Sequence, residues 1–264
     1  MDYQDIIYTK EEGIATITLN RPDRMNAFSP EMLKSIHKAV EDTAKDNEAR
    51  VLVITGAGKA FCAGGDVKAM SEKLSQPSSE KSEREPAMEG IPLYLRLYRF
   101  EKPIIASING VAAGGGFDFA LTCDIRIASD RARFSEVFIR RGLIPAGGGT
   151  YFLPRLVGID RACQLIWTGD LIDAKEAERI GLVTMVVPHE ELESATMELA
   201  EKLAKGPPLA IQKAKRAIYE GLQMDLQSAL EYSTSALKEL RQTEDHKEGA
   251  KAFVEKREPV FKGR

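Results

Sequence analysis

Apolar and polar positions first alternate along this chain and then gather into short blocks. Residues 6–19, IIYTKEEGIATITL, read as two β segments around a turn at Lys10–Gly13. In the second, Ile14, Thr16 and Thr18 alternate with Ala15, Ile17 and Leu19. NRPDRMNAFS breaks the alternation with Pro22 and two asparagines. Ser29-Pro30 then supplies an N-cap and a first helical position for a helix reaching about Asp46, with Leu33, Ile36, His37 and Val40 on one face. The continuous apolar runs VLVIT (51–55), PIIASIN (103–109) and IRIAS (125–129) predict strands buried on both faces, with a fourth, short strand at Ala132–Phe134.

Between these strands lie glycine-rich stretches that open into helical spacing. GAGKAFCAGGDVKAM predicts a helix start near Asp66, GVAAGGGFDFAL a helix to about Cys123, and GGGTYFLPRLVG a helix from Gly148–Thr150 to near Gly158. Residues 71–90 are polar, rich in Ser, Glu and Lys, and read as a mobile loop or frayed helix that could act as a lid. Tyr94–Phe100 returns to helical spacing. From Asp173 the pattern is helical apart from a strand at VTMVVP (183–188), and the chain closes on the basic stretch GAKAFVEKREPVFKGR with Phe253 and Phe261. The unit strand, glycine loop, helix recurs over the first 160 residues, which predicts an α/β core with a helical C-terminal extension.

Composition narrows the classes. With 43% hydrophobic and 29% charged residues the chain holds enough apolar side chains for an ordinary core. A net charge of -3 provides no general attraction to nucleic acid or anionic membrane, so neither is expected as a partner. Cys62, Cys123 and Cys163 are odd in number and widely spaced, against a disulfide framework and a thiolate metal site, and in keeping with a reducing, cytoplasmic location. MDYQDIIYTKEEG has no apolar core of a secretory signal, and no run of 18 apolar residues predicts a membrane span.

The glycine loops fail the nucleotide fingerprints. Gly58-Lys59 is followed by Ala60, with Val53 where the first phosphate-loop glycine would stand. Gly56 and Gly58 are followed by Phe61 at the third glycine place of a dinucleotide loop. No G-x-S-x-G elbow or H-E-x-x-H pair accompanies His37, His189 and His246. Backbone chemistry remains. CAGGD (62–66) and AAGGGFD (112–118) are loops opening into helices, so each presents free N–H groups. One N–H from each converging on one oxygen would form an oxyanion hole; capping and tight packing account for the same glycines equally well.

NRPDRMNAFS, AFCAGGDVKAM, KPIIASINGVAAGGGFDFALTCDIRIAS, RRGLIPAGGGTYFLPRLVG and FVEKREPVF together, in order, resemble the crotonase (enoyl-CoA hydratase/isomerase) superfamily over nearly the whole chain. The resemblance implies a spiral of ββα units in residues 1–195 holding an acyl-CoA site, and a helical trimerisation region in 196–264 that also covers CoA. It implies homotrimers, often paired into hexamers, and no cofactor beyond the coenzyme A of the substrate. By position, the oxyanion-hole donors are the N–H groups of Gly65 and Gly115. Arg24, Met25, Ala27, Ala63, Asp66, Val67 and Lys68 match the CoA border, and Phe253 and Lys256 match C-terminal residues approaching CoA, in some members from a neighbouring subunit.

Hydratases of that family carry two glutamates. Their first position is Asp118 here; the second, four residues before Gly142, is Phe138, a residue of the expected acyl pocket. The acid that some isomerases carry just after Ile-Pro is Ala146. Asp118, in a first helical turn where the dipole favours the charged form, and Glu136, on the same strand face as Phe138 and displaced by about 6–7 Å, remain the candidate catalytic acids. The expected function is hydration of, or a double-bond shift in, an enoyl- or dienoyl-CoA through an enolate. The alternatives are C–C hydrolysis of a cyclic β-keto acyl-CoA, and a catalytically degenerate CoA- or RNA-binding protein.

Overall fold

The alternation of residues 6–19 produces an antiparallel pair, β1 (Ile6–Glu11) and β2 (Ile14–Leu19), turning at Glu12-Gly13. The computed structural model describes residues 3–66 and 93–264; the expected helix start beyond Asp66 and the lid expected at 71–90 lie outside them. β3 (Val51–Gly56), β5 (Ile104–Ile108), β7 (Ile125–Ser129) and β10 (Met185–Val187) extend β1–β2 in the order β1-β2-β3-β5-β7-β10, and every pairing after the first is parallel. Because both faces of β3, β5 and β7 are covered, these strands are mostly apolar, and the polar residues buried in them have partners: Ser107 meets Thr196 Oγ1 at 2.9 Å, and Arg126 donates to Leu182 O and Cys123 O. Leu52, Ile54, Ile104 and Ala106 face one core, Val51, Val53 and Ile105 the other.

A second sheet, not foreseen from the pattern, holds β4 (Ala60–Cys62), β6 (Val111–Ala113), β8 (Arg133–Ser135) and β9 (Ile172–Asp173) in the order β4-β6-β8-β9. β4 and β6 read as loop in the sequence because each is three residues long with glycines within two residues of either end. Lateral pairing with the neighbouring turn of the chain forms them, not local preference. Each unit therefore gives one strand to the large sheet and the next to the small one, and the chain advances as a spiral of ββα units. The corners between the two sheets are stitched by buried amides. Asn26 Nδ2 donates to Ala57 O at 2.9 Å and Ala60 O at 2.7 Å, and Asn109 Nδ2 to Gly58 O at 2.9 Å. Gly110 has no room for a side chain, since a Cβ there would fall on the Lys59 carbonyl of the preceding corner.

Helix Pro30–Lys45 starts as expected, Ser29 Oγ accepting the Met32 N–H at 3.0 Å. Its buried face is rotated from the expected one. Met32, Ile36, Ala39 and Val40 are buried with Ser35 and Thr43, while Leu33 and His37 sit half-buried at the edge. The two hydroxyls hide in the apolar stripe because each has a backbone partner: Ser35 Oγ accepts the Gln4 N–H, and Thr43 Oγ1 donates to Ala39 O. Helix Leu192–Ala204 covers the second face of the large sheet through Leu192 and Ala200, so residue 195 falls inside a helix packed on the core. The helices Pro208–Gly221, Leu226–Leu240 and Glu244–Glu255 follow. The first is tied to the core by Lys215, whose ammonium donates to Asp124 at 2.7 Å, and by Tyr219, which donates to the same carboxylate at 2.7 Å.

Candidate active site

β6 ends at Ala113 and the chain turns at once into the seven-residue helix Gly115–Leu121. The turn needs Gly114, whose φ of 52° and ψ of -127° a side chain would resist. Gly64, at φ 87°, ends the neighbouring β4 loop in the same manner, and a Cβ there would stand 2.7 Å from Ala113 O and 2.9 Å from Gly115 N. The two glycine loops are thus in contact. The N–H groups of Gly65 and Gly115 make no backbone hydrogen bond among the described residues, and both glycines are half-buried. Gly65 pairs with Phe28 across a parallel bridge, Phe28 N–H donating to Gly64 O at 2.8 Å and Ala63 N–H to Met25 O at 3.0 Å. Arg24 and Met25 are exposed and Ala27 is buried, all on the segment laced to Ala63–Asp66. The Asp66 carboxylate lies 3.5 Å from the Arg21 guanidinium. Val67 and Lys68 lie outside the described residues.

Behind Gly115 the helix carries Asp118, with no exposed surface. Its Oδ2 accepts the Gly147 N–H at 2.8 Å, and the Gly149 N–H faces it as well; its Oδ1 has no partner. Glu136 has no exposed surface either and neither oxygen has a partner. β8 stops at Ser135, and Glu136 caps a 3-10 turn, Val137–Arg141. The short strand expected at Ala132–Phe134 is β8, but Glu136 lies beyond its end, so the strand face shared with Phe138 and the displacement of about 6–7 Å do not hold. The turn carries the carboxyl inward: a Cβ added to Gly149 would strike both Asp118 Oδ1 and Glu136 Oε1. The two acids therefore stand within the ~4–6 Å over which like charges oppose one another's ionisation. Phe138 is half-buried, its ring 3.7 Å from a Cβ placed on Gly114.

The helix dipole was expected to keep Asp118 charged, but burial wins. Loss of water pushes its carboxyl up to about 7, and the Gly147 and Gly149 N–H groups only partly offset it. Burial and then the Asp118 charge push Glu136 up to about 9. A raised carboxyl pKa means that the folded chain holds more protons than the unfolded one, so stability falls as pH climbs from the unfolded carboxylate value through 7 and 9. Glu136→Gln is therefore expected to raise the melting temperature more at about pH 9 than at about pH 5. A pH-independent difference between variant and wild type in differential scanning fluorimetry would contradict this.

Sequence reasoning missed three parts of the site. Tyr94, on the helical stretch 93–98, donates its hydroxyl to Gly115 O at 3.2 Å. Gly147 and Gly149 bring the N–H groups that meet Asp118. The second triple glycine, 147–149, was the available signal, since it repeats the run at 114–116. Phe253 is 86% exposed at the end of the C-terminal helix, and Lys256 caps that helix in a left-handed conformation, so among the described residues little covers the ring.

The match to known proteins decides what this arrangement belongs to. The model of the family described as enoyl-CoA hydratase/isomerase matches residues 9–264. The chain belongs to the enoyl-CoA hydratase/isomerase family. It is similar to the short-chain-enoyl-CoA hydratase of Clostridium acetobutylicum, 40% identical over 97% of both chains. It also resembles the crotonyl-CoA hydratase of Syntrophomonas wolfei, 40% identical over 99% of both. Among solved structures, enoyl-CoA hydratase from Bacillus anthracis superposes with a TM-score of 0.93 at 38% identity, covering 99% of this chain and 100% of that one. The two-sheet spiral with its C-terminal helices is the family's fold, and its acyl-CoA chemistry is the frame for the buried acids. Among the described residues no helix is long and apolar enough to cross a membrane, and no three or more His, Cys, Asp or Glu side chains cluster as metal ligands.

Proposed function

We propose that the chain adds water across the double bond of a 2-enoyl-CoA thioester. One observation carries this reading: two buried carboxyls flank a single point behind a glycine loop with a free N–H. The thioester oxygen accepts from the N–H groups of Gly65 and Gly115. Asp118, ionised and held by the Gly147 N–H, takes a proton from water as the water oxygen bonds to C3. The electron pair moves onto the thioester oxygen, giving an enolate. Glu136, protonated, returns a proton to C2. Burial pushes both carboxyls up; the N–H donors that meet Asp118 favour its charged form, while Glu136, with no donor on either oxygen, keeps its proton. Arg24, Met25, Ala27, Ala63, Asp66, Val67 and Lys68 border the CoA, and Phe138 walls the acyl group. The exposed Ile218, Leu222, Leu226 and Leu230 support a homotrimer, or a hexamer of paired trimers, in which Phe253 and Lys256 reach a neighbour's CoA. No cofactor is needed beyond the substrate's own CoA, and the location is cytoplasmic.

The test is crotonyl-CoA with the purified protein. Loss of the enoyl-thioester absorbance is expected, with kcat/KM highest between about 7 and about 9, falling below as Asp118 takes up a proton and above as Glu136 loses one. No turnover with crotonyl-CoA or longer 2-enoyl-CoAs would overturn the reading. Phe138, standing where hydratases of the family carry an acid, favours one second reading: a 3-enoyl-CoA double-bond shift, with Asp118 carrying the proton from C2 to C4. Turnover of 3-enoyl-CoA alone would select it.

A further inference from the structure

The glycine run at 114–116 has no side chains with which to hold itself, yet an oxyanion donor works only if it is aimed before the charge develops. Its fixings can be followed bond by bond. Gly114 N–H donates to Ser135 O at 2.9 Å. Gly114 O accepts the Phe117 and Asp118 N–H groups, each at 2.9 Å, which holds the peptide that contains the Gly115 N–H by its oxygen. On the far side of the Gly115 Cα, the peptide of Gly115 O is met by the Tyr94 hydroxyl at 3.2 Å. Only this last fixing comes from a side chain. We propose that Tyr94 is a positioning residue for the oxyanion hole, its hydroxyl locking the rotation of the chain about Gly115 so that the Gly115 N–H stays aimed at the thioester oxygen.

Several features make Tyr94 suited to this. Its hydroxyl stands 3.6 Å from the place a Gly115 Cβ would take, and the Phe28 ring lies at the same distance from that point, so both pack against Gly115. Its ring also lies over Gly147, whose N–H holds Asp118; a Cβ on Gly147 would meet Tyr94 Cζ and Asp118 Oδ2 together. Burial, followed by the nearby Asp118, Cys62 and Glu136, raises its phenol above the ordinary value, so it remains a hydrogen donor. The stretch carrying it is itself anchored. Leu93 and Leu97 are buried in the core, and Tyr98, one turn on, packs on Tyr219 at 5.3 Å and Phe152 at 5.9 Å and accepts from Gln223 Nε2 at 2.8 Å. A donor on a rigid element can hold the hole to the tolerance that catalysis requires.

The inference rests on the acyl-CoA reading above, and its test separates the two. Tyr94→Phe removes one oxygen and keeps the ring. With crotonyl-CoA, kcat is expected to fall ~10-fold, less than the ~10²–10³ for loss of a whole oxyanion donor, and KM to stay within about two-fold. The second readout is bound acetoacetyl-CoA, whose enolate absorbs in the near ultraviolet and needs no turnover. The enolate fraction should fall in step with kcat. Absence of any enolate on the wild type would count against the acyl-CoA reading itself. An enolate on the wild type that persists unchanged in Tyr94→Phe, or a loss expressed only in KM or in melting temperature, would overturn the role given to Tyr94.

Discussion

Asp118→Asn is expected to reduce kcat for enoyl-CoA hydration by ~10³-fold or more, near the upper range for loss of a general base. The change is isosteric, and an amide oxygen can still accept the Gly147 N–H that now meets Oδ2 at 2.8 Å. Geometry is therefore kept while the capacity to take a proton is lost. The residues proposed to border the CoA lie on segments other than the helix that carries Asp118, so KM should move little and kcat/KM should fall with kcat. Folding should not suffer, because the variant removes a charge that burial already disfavours, as the rise of the Asp118 carboxyl to about 7 shows. Steady-state rates on crotonyl-CoA decide it. A kcat within ten-fold of wild type would assign the base to Glu136 or to no carboxyl at all.

The parts of this architecture that were legible in the sequence are those whose cause is local. Ser29-Pro30 starts a helix by capping chemistry, and Ile125–Ser129 was bounded correctly because a β-branched, mainly apolar run between turn residues reads as a buried strand. β4 and β6 were not legible, since three residues bear no period and gain their strand geometry from neighbours about 50 and 20 residues away, Ala60 pairing with Val111 and Ala112 with Phe134. The helix face was misjudged because Ser35 and Thr43 can be buried once the backbone satisfies them. In the candidate site, Asp118 and the two glycine loops stood out as motifs. The partnership of Glu136 with Asp118 did not, because it depends on the chain leaving β8 at Ser135 and coiling into a 3-10 turn. Tyr94 was hidden for the opposite reason, being one aromatic among several in a helical stretch whose inward direction is fixed only by packing.

Gly149→Ala should be nearly as damaging to turnover as the loss of Asp118, although the residue contributes no side chain. Gly149 opens a helix without a positive φ, so alanine suits the local backbone and even favours the helix by ~1 kcal/mol. The conflict is with what the methyl meets: Asp118 Oδ1, Glu136 Oε1 and, at 2.8 Å, Pro145 Cβ. Asp118 is pinned on its other oxygen by the Gly147 N–H, so the two carboxyls are forced apart. Misplacement of reacting groups by about 1 Å costs ~10²-fold, and here both acid and base are displaced, so a kcat loss of ~10²–10³-fold is expected with the fold retained by near-ultraviolet circular dichroism. Gly221→Ala serves as the control, since among the described residues its Cβ would meet only the Ala229 methyl, at an ordinary 3.8 Å. The two damaging changes act on one pair, so they should not multiply: in the Asp118→Asn background, Gly149→Ala should cost less than ~10-fold more. Full multiplication of the two losses would place the effect of Gly149 outside the carboxyl pair.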